Sequence, residues 1–271
     1  MDDIDRFLLE DLGKEGDITS DNLFTNETAE AIIIAKENCV VAGLEELRNV
    51  FEKTGAFTTL LVKDGDLVKE KTIVAKIKGP ARSILKGERL ALNILGRMSG
   101  IATETKRLVG ICRKINPNVK IAATRKTTPG FRKFEKKAVI IGGGEPHRYG
   151  LYDAVIIKDN HLKLIGSVEK AIKKIKEKVK NKKIEVEVEN EKDAVIAAKL
   201  SVDVIMLDNF NPKSAEIVAK KIRKINNNVL IEISGGINPK NITKYARFAD
   251  IISLGYLTHS IKNKDFSLEI F

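Results

Sequence analysis

From about residue 120 onward the chain alternates short β-branched runs with amphipathic helical stretches, a rhythm that few architectures accommodate. Runs at 120–124, 154–157, 184–189, 202–207, 229–233 and 250–254 read as strands, and stretches near 131–140, 167–180, 191–200, 212–225 and 238–247 as helices. Asn211-Pro212 and Asn238-Pro239 carry a helix-start signal, an Asn cap with Pro in the first turn. Strands joined by helices form a parallel sheet. Repetition on this scale implies either a TIM-type barrel, complete or not, or a doubly wound open sheet.

Polar residues at the strand ends separate the two. Thr124-Arg125-Lys126, Lys158-Asp159-Asn160-His161, Glu187 and Glu189, Asp208-Asn209, Ser234-Gly235-Gly236 and Ser253-Leu254-Gly255 each follow or close a run. In a barrel all of these ends open on one face, whereas in an open sheet only the switch point forms a crevice. Convergence favours an α/β fold with an open or incomplete TIM-like barrel over 103–259. Residues 1–102 read differently: strands at 29–36 and 40–43, a helix at 45–54, and a hairpin at 62–79 turning at Asp64-Gly65-Asp66. That pattern predicts an N-terminal α+β sandwich domain, followed by a long helix from about 83 to 114. The alternating end at 266–271 predicts a strand returning to this domain, so 260–271 is assigned to it.

Composition narrows the function classes. The chain is 43% hydrophobic and 31% charged, as a soluble globular protein is, and no apolar run reaches the roughly 20 residues of a membrane span. The acidic first ten residues lack the basic and apolar regions of a signal peptide, so a cytoplasmic address is expected. The net charge of +11 fits either a nucleic-acid binder or a Lys-coated, heat-adapted surface. Helices such as 170–178, with Ile at helical spacing and Lys elsewhere, favour the second, and 5% aromatic content offers no stacking platform. Two cysteines and three histidines, in no ligand spacing, point to buried thiols and argue against a transition-metal cage.

Chemistry concentrates between Thr124 and His161. The segment Thr124-Arg125-Lys126-Thr127-Thr128-Pro129-Gly130 leaves a strand and turns, setting two cations and three hydroxyls beside free backbone N–H groups. Gly142-Gly143-Gly144 and His147-Arg148 come next, then Lys158 at the end of a buried-looking run. Glu187 and Asp208 end consecutive strands; in a cation-rich pocket they suit Mg²⁺, sugar hydroxyls or a developing positive charge, or simply pair with Arg125 or Lys158. Ser234-Gly235-Gly236 and Ser253-Leu254-Gly255 fit the phosphate site that barrels place at their last strands. Arg89, Asn93 and Arg97 share one helix face, which on its own reads as a solvated surface.

Together these residues resemble the quinolinate phosphoribosyltransferase family, the carboxylating nicotinate-nucleotide pyrophosphorylases. The similarity runs from Gly16-Asp17-Ile18-Thr19-Ser20 through Gly87-Glu88-Arg89, the Thr124–Gly130 segment, Ile157-Lys158-Asp159-Asn160-His161 and Glu185-Val186-Glu187-Val188-Glu189 to Ser234-Gly235-Gly236-Ile237. The resemblance implies transfer of a phosphoribosyl group to quinolinate with decarboxylation, in NAD biosynthesis. It implies Mg²⁺ as cofactor, quinolinate and phosphoribosyl pyrophosphate as substrates, and a homodimer or trimer of dimers, with no nucleic-acid or membrane partner. Arg125, His147, Arg148 and Lys158 would surround the quinolinate carboxylates, with Thr124 beside them and Arg89 reaching in from a partner subunit. Lys126 and Lys158 would face the pyrophosphate as catalytic groups. Glu187 and Asp208 would serve the ribose and Mg²⁺, directly or through water or substrate. Ser234, Gly235, Gly236, Ser253, Leu254 and Gly255 would hold the 5′-phosphate. One position departs: the family usually has Asn before the His-Arg pair, and here it is Pro146, which removes a backbone donor and a side-chain amide.

Overall fold

The computed structural model describes residues 2–271, in two compact units. The first comprises residues up to Lys106 with 137–143 and 261–271; the second comprises 107–136 and 144–260.

In the first unit, α1 (Asp3–Leu12), α2 (Ser20–Leu23), β1 (Thr28–Ala35), β2 (Cys39–Val40), α3 (Leu44–Thr54), β3 (Phe57–Leu60), β4 (Leu67–Val68) and β5 (Ile73–Pro80) lead into α4 (Ala81–Arg113). An antiparallel sheet of order β12-β1-β5-β3 forms its frame, β12 being the C-terminal Phe266–Ile270, paired to β1 as the alternating end predicts. Alternation along β1 buries Ala31, Ile33 and Ala35, while α3 buries Leu47, Val50 and Phe51. The segment 62–79 is not the predicted hairpin. The Asp64 carboxylate instead accepts from the N–H groups of Gly43 (3.0 Å) and Leu44 (3.1 Å), satisfying the open N-terminus of α3. Gly65 N–H bonds to Val41 O, which directs β4 onto β2 and leaves β5 to pair with β1 and β3. The sequence reading also omitted α1, whose start is a capping box between Asp2 and Asp5.

The second unit holds β6 (Lys120–Ala122), α5 (Arg132–Ile141, its last turn counted with the first unit), β7 (Val155–Ile157), α6 (Asp159–Ile165), α7 (Val168–Lys178), β8 (Ile184–Val188), α8 (Glu191–Lys199), β9 (Val204–Asp208), α9 (Pro212–Ile225), β10 (Leu230–Ser234), α10 (Thr243–Ala246), β11 (Ile251–Ser253) and α11 (Tyr256–His259). Its six strands form one parallel sheet of order β6-β11-β10-β9-β8-β7. Consecutive strands are therefore neighbours except β6 and β7, which stand at opposite ends of the order. The free edge of β6 is taken by one residue: Glu145 N–H bonds to Ile121 O at 2.8 Å and Ala123 N–H to Glu145 O at 2.9 Å. Pro146 follows at this edge, where its missing N–H removes no ladder bond.

Strand alternation divides the sheet faces. Val186, Ile205, Leu207, Ile231 and Ile233 are fully buried on one face, which α8 helps to cover. Each such side chain contributes roughly 1.5–3 kcal/mol. Glu185, Glu187, Met206, Asp208, Glu232 and Ser234 fall on the other. Asn211 caps α9 as expected, accepting from Ser214 N–H at 3.0 Å. The predicted helix at 238–247 shrinks to α10, because Asn238 and Asn241 spend their side chains on local turns. Cys39 and Cys112 are buried free thiols. No helix among the described residues is long and apolar enough to cross a membrane.

Candidate active site

A cavity of about 760 Å³ opens at the C-terminal ends of these strands. Thr124, Arg125, Lys126, His147, Arg148, Lys158, Glu187, Asp208, Ser234, Gly235, Gly236, Ser253, Leu254 and Gly255 all line it. Of the predicted site residues only Arg89 does not: it lies on α4 in the first unit, exposed, with Glu88 at 3.9 Å.

The basic loop after β6 is tied down at several points. Lys126 N–H donates to Thr124 Oγ1 (3.1 Å), and the buried Glu135 carboxylate accepts from both the N–H and the hydroxyl of Thr128 (3.0 Å each). Thr258 Oγ1 donates to Lys126 O at 2.7 Å. The Lys126 stem passes over Gly255, where an added Cβ would stand 2.8 Å from its Cδ and 2.8 Å from His259 Nε2.

His147 and Arg148 form the adjoining wall. His147 has φ +54°, an uncommon conformation for a bulky residue. Arg148 N–H donates to His147 Nδ1 at 2.9 Å, and His147 Nε2 lies 3.3 Å from Glu232 Oε2 and 3.5 Å from Glu185 Oε2. With Nδ1 accepting, Nε2 carries the proton and donates towards the carboxylates. Burial pulls the imidazole down, but the Glu232 hydrogen bond and the charges of Glu232 and Glu185 outweigh it, and the net shift is upward. Burial, and then the neighbouring Glu232, push the Glu185 carboxyl up. The guanidinium of Arg148, which donates to Ala154 O at 3.1 Å, is lowered by burial and by Arg125.

Lys158 follows β7 and its Nζ meets Glu187 Oε2 at 2.5 Å. Its N–H donates to His161 Nδ1 at 2.9 Å, which turns the chain into α6 and keeps His161 out of the cavity lining. Asp208 ends β9, and Asn209 Nδ2 donates to its Oδ2 at 2.6 Å. Burial and then the Glu187 charge push the Asp208 carboxyl up. Gly235 has φ +80°, and a Cβ there would stand 2.4 Å from Asn209 Oδ1. The cavity lining thus combines four cations (Arg125, Lys126, Arg148, Lys158) with the carboxylates of Glu187, Asp208 and Glu232 and with glycine-rich turns.

Two buried carboxylates escaped the sequence reading as site residues. Glu185 and Glu232, 6% and 0% exposed, form with His147 a group whose ligand atoms lie within 4.8 Å, an arrangement that could hold a divalent metal. The available signal was parity: each sits two residues before a recognised site residue on its strand, and so on the same face.

Comparison with known proteins agrees along the whole chain. The family model for quinolinate phosphoribosyl transferase, N-terminal domain, matches residues 17–99, and that for the C-terminal domain matches 101–269. A probable nicotinate-nucleotide pyrophosphorylase (carboxylating) of Archaeoglobus fulgidus is 44% identical over 94% of this chain and 98% of its own length. One of the same description from Methanocaldococcus jannaschii is 45% identical over 94% of this chain and 92% of its own. The crystal structure of the nicotinate-nucleotide pyrophosphorylase from Francisella tularensis, 36% identical, superposes with a TM-score of 0.92 over 99% of this chain and 94% of that one. By sequence, by both domains and by fold, the chain belongs to the quinolinate phosphoribosyltransferase family.

Proposed function

We propose that this chain transfers a phosphoribosyl group from phosphoribosyl pyrophosphate to quinolinate and decarboxylates the adduct, releasing nicotinate mononucleotide, pyrophosphate and CO₂ for NAD biosynthesis. The observation that carries the reading is one cavity whose lining brings four cations together with carboxylates and glycine-rich turns, Lys158 being paired with Glu187. Quinolinate brings two carboxylates and its cosubstrate a pyrophosphate and a phosphate, so a pocket for both needs concentrated positive charge.

Arg125, His147, Arg148 and Lys158 are assigned to the quinolinate carboxylates, with Thr124 beside them. Lys126 and Lys158 face the pyrophosphate. Ser234, Gly235, Gly236, Ser253, Leu254 and Gly255 take the 5′-phosphate, as the open space beside the Gly236 backbone supports. Glu187 and Asp208 serve the ribose side and Mg²⁺, directly or through water or substrate. These are hard oxygen donors at adjacent strand ends; burial first and the Glu187 charge second push Asp208 up, and the second of these is a repulsion that a divalent cation would relieve. When bound, Mg²⁺ neutralises charge on the pyrophosphate.

The pyridine nitrogen forms the bond to ribose C1 as the C1–oxygen bond breaks and pyrophosphate leaves with the electron pair. Glu187 and Asp208 stabilise the oxocarbenium-like carbon, while Lys126 and Lys158 meet the charge on the leaving group. The carboxylate next to the now cationic nitrogen then departs as CO₂. Its bonding electrons remain on the ring carbon, which takes up a proton. The ring is its own electron sink, so no nucleophilic Ser or Cys is required. The parallel sheet is read as a barrel left open between β6 and β7. Self-association is assigned as a homodimer or trimer of dimers, in which an exposed Arg89 reaches a partner's cavity.

Incubation with quinolinate, phosphoribosyl pyrophosphate and Mg²⁺ tests the reading by loss of quinolinate absorbance. Turnover of nicotinate in its place would transfer the assignment to a sister phosphoribosyltransferase.

A further inference from the structure

Helix α5 presents two cations one turn apart, Arg132 and Lys136, and each holds a backbone carbonyl of the segment carrying His147 and Arg148. Arg132 Nη1 donates to Tyr149 O at 2.9 Å, and its Nε donates to Thr127 Oγ1 at 3.0 Å. Lys136 Nζ donates to Pro146 O and lies 5.4 Å from the centre of the Tyr149 ring. The two fixed carbonyls flank His147 and Arg148 on either side. Tyr149 N–H is held as well, by Asp153 Oδ2 at 2.9 Å.

A lysine with no exposed surface needs a reason. A Met or Leu would fill this volume without burying an ammonium, which is costly away from water. The neighbourhood makes it worse: besides burial, Arg132, Arg125 and Arg148 disfavour the charge, and Asp153 is the acid that favours it. The compensation is geometric. Pro146 has no N–H, so its carbonyl is the only backbone polar group by which this residue can be anchored. The residue after it is held at φ +54°, and an unfavourable conformation of this kind persists only where surrounding contacts over-determine it.

We infer that Arg132 and Lys136 are positioning residues for substrate recognition: a two-point clamp on the Pro146 and Tyr149 carbonyls that sets His147 and Arg148 against the quinolinate carboxylates. The inference rests on the assignment of that wall to quinolinate. Lys136 contacts the Pro146 carbonyl and the Tyr149 ring, so loosening it affects quinolinate and spares phosphoribosyl pyrophosphate, whereas Arg132 also holds Thr127 on the loop of Lys126.

The test compares the unaltered protein with Lys136→Met, Arg132→Gln and the conservative Arg132→Lys, reading KM for each substrate and amide hydrogen exchange across 147–149. Lys136→Met and Arg132→Gln are expected to raise KM for quinolinate by about tenfold or more, and Lys136→Met to leave that for phosphoribosyl pyrophosphate within about twofold. Exchange at 147–149 is expected to accelerate, and Arg132→Lys to recover part of both effects. If Lys136→Met does not fold, Arg132→Gln, at a half-buried site, carries the quinolinate KM and the exchange readouts. An unchanged quinolinate KM, or a parallel rise of both constants in Lys136→Met, overturns the inference. If the unaltered protein does not turn over quinolinate, the functional assignment is what fails. Amide exchange then decides the clamp alone: acceleration confined to 147–149 supports it, and unchanged exchange overturns it.

Discussion

Lys158 and Glu187 meet at 2.5 Å from the ends of neighbouring parallel strands, a cation and a carboxylate of the same cavity lining. Glu187 is buried while Lys158 keeps 43% of its side chain exposed, so each can exchange part of its contact for substrate. Their roles differ. Under the proposed function Lys158 would meet carboxylate and leaving-group charge, and Glu187 the positive charge that develops at ribose C1.

Glu187→Gln is therefore expected to lower kcat by about a hundredfold or more, with KM for quinolinate little changed, because it removes an interaction made in the transition state. Lys158→Ala is expected to lower kcat and also raise KM for quinolinate. Steady-state kinetics with each substrate varied checks both. A purely structural ion pair would instead lower the melting temperature of both variants and leave kcat close to that of the unaltered protein.

Gly235→Ala places a methyl group against Asn209 Oδ1 at a residue with φ +80°. Strain of about 1–3 kcal/mol is expected, visible in urea denaturation. Because this backbone is assigned to the 5′-phosphate, KM for phosphoribosyl pyrophosphate should rise by about tenfold. KM for quinolinate should stay near its original value.

Lys136 also makes a prediction about stability. Burial, and next Arg132, lower its ammonium to about 8, whereas an unfolded lysine titrates near 10.5. Between those values the unfolded chain holds a proton that the folded chain has released, so this group's contribution rises with pH across the window. Urea denaturation at about pH 7 and pH 9.5 should show the unaltered protein gaining stability relative to Lys136→Met. The thiols of Cys39 and Cys112, raised to about 11 by burial, give the opposite slope at high pH, but both proteins share them and they cancel. A difference that does not vary with pH would contradict the assignment.

Arg89 tests the assembly. Arg89→Ala and Lys158→Ala proteins, each of low activity, should regain part of it on mixing if Arg89 acts in a partner's cavity. Absence of recovery, with subunit exchange demonstrated by mass, would remove Arg89 from the site.

The sequence is most informative where periodicity and turn chemistry act locally. Four of the six strands of the parallel sheet fall within the runs marked by β-branched residues, β9 and β10 extend one residue past theirs to Asp208 and Ser234, and a polar group from the end of every strand lines one cavity, though Glu189 and His161 do not. The N-terminal unit was less legible, because Asp64-Gly65-Asp66 has a hairpin's composition yet its carboxylate is used to cap α3. Glu232 was missed for another reason: in Ile231-Glu232-Ile233 it reads as an exception within a buried strand, and only the fold brings His147 to it. Lys136 resembles the surface lysines beside it, and nothing local distinguishes a helix position that ends fully enclosed.

The most direct measurement uses quinolinate labelled with ¹³C in the carboxyl group next to the ring nitrogen, together with phosphoribosyl pyrophosphate and Mg²⁺. The account predicts labelled CO₂ and pyrophosphate in equal amounts, with nicotinate mononucleotide as the organic product. Pyrophosphate release without labelled CO₂, or turnover of nicotinate while quinolinate is untouched, would contradict it.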